Sequence, residues 1–99
     1  MAEITGRRRG ELVRGVFEVL MDNPDGLPAA QVLKAVEQTV PPSEFERESY
    51  TRNPAVRRYE KTIRFATIPS VKAGWLIKSG GSWSLTDAGR GACPARRRN

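Results

Sequence analysis

The sequence predicts a mainly α-helical fold with a small antiparallel β-hairpin. Three observations predict it. Apolar residues recur at helical spacing over 11–21 and again over 29–39. A basic stretch beginning at Asn53-Pro54 has helix-forming composition up to a proline at Pro69 and a terminating glycine at Gly74. Trp75-Leu76-Ile77-Lys78 and Ser82-Trp83-Ser84-Leu85 then read as two strands joined by Ser79-Gly80-Gly81. A helix followed at once by a small hairpin is the core of a winged helix-turn-helix. The other segments read as the support that holds this helix at the surface.

With 99 residues the chain is expected to form one domain with a modest core. The ordered part is expected over about 7–91, followed by an arginine-rich tail over 92–99. Formal charge is +6 and the pI is about 10.2. A small basic domain suggests a polyanion partner, nucleic acid before a membrane surface. The single cysteine, Cys93, permits no disulfide within the chain, which fits a reducing cytoplasm. The absence of histidine removes Cys/His zinc sites and histidine acid–base chemistry. No apolar run approaches the length of a membrane span, and no signal-like apolar segment follows the N-terminal arginines. A cytoplasmic protein with no membrane partner and no cofactor is expected.

The elements follow in order. Arg7, Arg8 and Arg9 precede the first helix and read as a solvated face. Glu11–Met21 carries Leu12, Val13, Val16, Phe17, Val19 and Leu20 as a broad apolar stripe, stopped by Asn23-Pro24-Asp25-Gly26. Pro28 suits the first position of a second helix, with Ala29, Val32, Leu33 and Val36 inward. Pro41-Pro42 blocks its extension beyond Thr39. Ser43-Glu44-Phe45-Glu46 is a capping box for a short turn over 44–49. Its acidic residues, Glu44, Glu46 and Glu48, read as solvated and as poor phosphate contacts.

Asn53 as cap and Pro54 at the first position predict the start of the third helix. Val56, Tyr59, Ile63 and Ala66 share its inner side. Arg57, Lys61 and Arg64 fall within about 60° of one another on the opposite side, with Arg58 on the flank. Pro69 removes a hydrogen bond and predicts a break around 67–70. Val71–Ala73 completes a last turn and Gly74 supplies a left-handed cap. In the return strand, Trp83 and Leu85 alternate with serines, as in a half-buried strand. Thr86 caps a final turn over 87–89, with Asp87 placed well for its dipole.

No constellation for catalysis stands out. The acidic residues fall in a polar segment or at a helix end, and no Asp is followed by a Glu-x-Lys pattern. Gly80-Gly81 lacks the following helix and lysine of a phosphate-cradling loop. A non-enzymatic binding module is expected. The basic helix carries the chemistry: arginine can bridge guanine O6 and N7, and lysine can neutralise phosphate. The plain alternative is a solvated face on which Glu60 pairs with Arg57 or Arg64. Trp75 and Trp83 are expected to pack the hairpin onto the helices. Phe65 lies toward the flank and is either a cover for the hairpin or an exposed contact.

Phe65-Ala66, then Val71-Lys72-Ala73-Gly74-Trp75-Leu76-Ile77, then Gly81-Ser82-Trp83-Ser84-Leu85-Thr86 and Gly89-Arg90 resemble the winged-helix domain at the N-terminus of Mrr-like restriction endonucleases. Asp25-Gly26-Leu27-Pro28 is similar to the family's lead into its second helix. The similarity covers most of 11–91 and is strongest over 65–90. Pro69 and Ser70 depart from it, standing where the family tends to have larger helix formers, and the wing is very short. The resemblance implies a targeting module joined to a separate nuclease or effector domain, directing it to particular, often modified, DNA.

These readings converge on a monomeric module for double-stranded DNA. Arg57, Arg58, Lys61 and Arg64 are expected in the major groove, with Arg52 and Lys78 as peripheral phosphate contacts. Two other readings stand beside it. One is a stand-alone winged-helix transcriptional regulator, which needs a dimer to read a palindrome. The other is a protein-interaction domain whose basic face docks an acidic partner.

Overall fold

The apolar stripe of the first helix sets the core. The computed structural model describes residues 5–50 and 53–92. Helix α1 (Gly6–Met21) buries Leu12, Val16, Phe17 and Leu20 along one face. Gly15 lies on the same face, and a Cβ there would stand 3.1 Å from Val36, so α1 passes close to helix α2 (Ala29–Thr39). Val32, Leu33 and Val36 of α2 complete that contact. Tyr59 and Ile63 of helix α4 (Arg58–Ala66) close the core from a third side. Each such side chain contributes about 1.5–3 kcal/mol by leaving water.

Helix α1 begins at Gly6 rather than at Glu11, because Thr5 caps it: its Oγ1 accepts from the Arg8 amide at 3.1 Å. The arginines at 7–9 therefore lie on helix. Pro28 is not the first residue of α2 but its cap. With Leu27 it forms strand β1 (Leu27–Pro28), paired with Ser82 and Trp83. The capping box of helix α3 (Glu44–Arg47) is present as expected, although the helix is short.

The larger departure lies at 53–57. These residues form strand β3 (Asn53–Arg57), antiparallel to β2 (Ser49–Tyr50), and not the start of a helix. A proline's fixed φ suits an extended edge as well as a first helical turn. Pairing decides between them: the Arg58 amide donates to the Glu48 carbonyl at 2.8 Å, and α4 starts only there. Val56 thus lies on a strand, with its side chain outside the described residues. Arg52 and the arginine run at 96–98 also lie outside them.

Beyond α4 the chain follows its sequence closely. Thr67 interrupts the helix, and α5 (Ile68–Lys72) carries Pro69 in its first turn. Gly74 takes φ +80°, and the Trp75 amide closes the helix end on the Ser70 carbonyl at 2.9 Å. Strands β4 (Leu76–Ser79) and β5 (Ser82–Leu85) form the hairpin around Gly80-Gly81. With β1 they make a three-stranded antiparallel sheet of order β1-β5-β4. Thr86 caps α6 (Asp87–Ala92), its Oγ1 accepting from the Gly89 amide at 3.0 Å. The architecture is mainly helical, with this small sheet at one side.

Candidate nucleic-acid interface

The basic residues near α4 divide into two groups. Arg57, the last residue of β3, faces carboxylates. Its guanidinium bonds Glu60 Oε2 through Nε at 3.0 Å and Glu37 Oε1 through Nη2 at 2.8 Å. Glu60 reaches back to the Arg57 amide at 3.3 Å, so the same carboxylate holds the start of α4. Glu60 and Glu37 raise the Arg57 pKa above its ordinary value, and Arg57 in turn lowers that of Glu37. Arg58 pairs with Glu48 at 3.1 Å and stacks its guanidinium 4.5 Å from the Phe45 ring. Both arginines are half-buried. Arg57 is therefore not on the helix face shared by Lys61 and Arg64, as helical spacing had predicted.

Lys61 and Arg64 form the second group. Both are exposed, on consecutive turns of α4. Lys61 lies over the Phe65 ring at 5.6 Å, and Arg64 lies 5.9 Å from the Trp83 ring. Lys72, at the end of α5, is also exposed. Sequence reasoning passed over Lys72, because Val71-Lys72-Ala73-Gly74 reads as a helix-ending motif rather than as a cationic one. Among the described residues, the exposed positions of α4 and α5 carry these three cations and no acid.

Lys78 behaves differently from its neighbours. Its ammonium donates to the Arg64 carbonyl at 3.3 Å and sits 4.5 Å from the Trp83 ring. Burial, followed by the nearby Arg64 charge, lowers its pKa. The side chain ties β4 to α4.

Of the carboxylates expected in water, Glu44 and Glu48 are exposed and Glu46 is inside. Glu46 is only 1% exposed and bonds Arg8 at 2.9 and 2.7 Å. Arg8 is therefore no part of a solvated run. Trp83 is buried, as a packing role requires, but Trp75 remains 37% exposed and Phe65 58%. Ile68, Val71 and Ile77 are exposed as well. No helix among the described residues is long and apolar enough to cross a membrane. The chain matches no protein-family model, no curated protein and no solved structure.

Proposed function

We propose that this chain is a winged-helix module that binds double-stranded DNA through α4 and α5, as a targeting domain of the kind found in Mrr-like restriction endonucleases. The observation that carries the reading is the exposed cationic surface of Lys61 and Arg64 on α4 and Lys72 on α5, two helices followed directly by a hairpin. The element order supports it, since α4 buries Tyr59 and Ile63 in the core, keeps Lys61 and Arg64 exposed, and is followed by α5 and the β4–β5 hairpin. The residues that carry the resemblance also support it, because Gly74, Trp83 and Thr86 do the ending, packing and capping work such a fold requires.

In this reading Lys61 and Arg64 lead the DNA contacts, and Lys72 extends them. Arg57 and Arg58 hold the helix start against Glu37, Glu48 and Glu60. The direct test is fluorescence anisotropy with matched duplexes, unmodified and carrying methylated or hydroxymethylated cytosine or N6-methyladenine, at several salt concentrations. Replacing Lys61 and Arg64 with alanine is expected to lower the slope of log affinity against log salt by about 0.9 for each lost phosphate contact. An unchanged affinity and slope in that double variant overturns the assignment. Selective binding to one modified duplex identifies a reader of that modification.

A further inference from the structure

A groove of about 700 Å³ runs between α1 and the α4–α5 junction. Val13, Phe17, Phe65 and Trp75 give it apolar and aromatic walls, and among the described residues its charged lining is Arg9 and Arg14. Glu11 and Glu18 line a separate depression together with Arg8 and with Arg14, which borders both. We propose that the groove is a docking site for an acidic amphipathic helix of a partner protein.

Geometry points to a helix. Arg9, Val13 and Phe17 repeat every fourth residue along α1, which makes one wall about 12 Å long. Phe65 and Pro69, also four apart, line the facing wall. A helix presenting anchors at i, i+3 or i+4, and i+7 covers about the same length. Two further large apolar residues of α5, Ile68 and Val71, are exposed. Large exposed aromatics beside arginines have the composition of interface anchors.

Charge complementarity identifies the partner's sign. With exposed Arg14 at its edge and no carboxylate among its described lining residues, the groove favours carboxylates on the flanks of an apolar stripe and disfavours a basic helix. Lys61, Arg64 and Lys72 are not among its lining residues, so the groove is separate from the proposed DNA contacts and meets them at Phe65.

The test uses the full chain and two synthetic fluorescent peptides of equal length. Both carry leucine and phenylalanine at i, i+4 and i+7. One has glutamate flanks and the other lysine flanks. Gly10 also lines the groove, and a Cβ there meets nothing within 4 Å, so Gly10→Glu leaves the fold intact while placing a negative charge in the site. The glutamate peptide is expected to bind with salt-sensitive affinity, about tenfold or more tighter than the lysine peptide. Gly10→Glu and Phe65→Ser are each expected to weaken it about tenfold, with thermal melts of both variants checked by circular dichroism. Gly10→Ala is expected to retain binding. The proposal is overturned if neither peptide binds, if both bind equally, or if Gly10→Glu has no effect. Self-association of the chain alone, abolished by Gly10→Glu, overturns it in favour of a second copy as the occupant.

Discussion

Glu46 is a carboxylate that the fold has drawn in from water. Arg8 grips both its oxygens, and the Ser43 amide donates to it at 2.8 Å. Arg8 also donates to the Pro41 carbonyl at 2.8 Å, so one guanidinium joins α1 to the chain entering α3. Arg8 is the first cause holding the Glu46 pKa below the ordinary carboxylate value. A depressed folded-state pKa stabilises the fold above the unfolded value of about 4.3, and that contribution is lost as pH falls through the folded value. Glu46→Gln is expected to cost about 2–3 kcal/mol at neutral pH, since it leaves a half-buried arginine short of its partner. It should also flatten the decline in stability below about pH 4.5. Urea melts between neutral pH and acid check both effects, and an unchanged acid limb refutes the second. Two glycines make a second contrast at this scale. A Cβ on Gly89 would lie 2.1 Å from the Trp75 carbonyl oxygen, against backbone that has no room to give. Gly89→Ala is expected to destabilise by about 3 kcal/mol or more. Gly10→Ala, on an open helix surface, is expected to stabilise by about 0.5–1 kcal/mol. Thermal melts of the two variants should move in opposite directions.

At the scale of elements, short-range chemistry was readable and long-range pairing was not. The stripe of α1, the Ser43–Glu46 box, the break at Pro69, the Gly74 cap and the β4–β5 hairpin each depend on residues within a few positions of one another. Strand β1 depends on Ser82 and Trp83, far along the chain, and two residues carry no periodicity to betray it. The stretch 53–57 failed for a related reason. Asn-Pro suits both a helix start and an extended strand, and the choice was made by Ser49–Tyr50 and by Glu37 on α2. The candidate site inherits that error. The cations of α4 were visible in sequence, but the removal of Arg57 and Arg58 toward Glu37 and Glu48 was a tertiary event. Their roles can be separated by measurement. Arg57→Ala is expected to lower stability by about 1 kcal/mol, given a partly exposed ion-pair network. In the reading proposed above, it leaves the salt slope of DNA binding unchanged. A double-mutant cycle with Glu37→Gln is expected to show a coupling of about 0.5–1 kcal/mol. Zero coupling, or a slope that falls as far as in Arg64→Ala, would return Arg57 to the DNA surface.

Across the whole molecule the charges are sorted by neighbourhood. Glu37, Glu48 and Glu60 gather around Arg57 and Arg58 at the start of α4. Lys61, Arg64 and Lys72 occupy the exposed face of α4–α5, and Arg9 and Arg14 line the groove beside it. Phe65 belongs to both surfaces. It lines the groove, and its ring lies 5.6 Å from the Lys61 ammonium. An acidic helix seated against Phe65 therefore brings carboxylates within reach of Lys61, a cation that the DNA reading also uses. If both proposed ligands bind, they should oppose each other. Linkage requires the factor by which the glutamate peptide weakens DNA binding to equal the factor by which DNA weakens peptide binding. A coupling of about 1 kcal/mol, roughly fivefold, is expected at low salt, and it should shrink as salt rises because the shared element is electrostatic. Titrating a labelled duplex at fixed peptide concentrations, and the peptide at fixed duplex concentrations, measures both factors. Lys61→Ala should reduce the two together. Equal affinities with and without the other ligand would mean that Phe65 divides two independent surfaces instead of joining them.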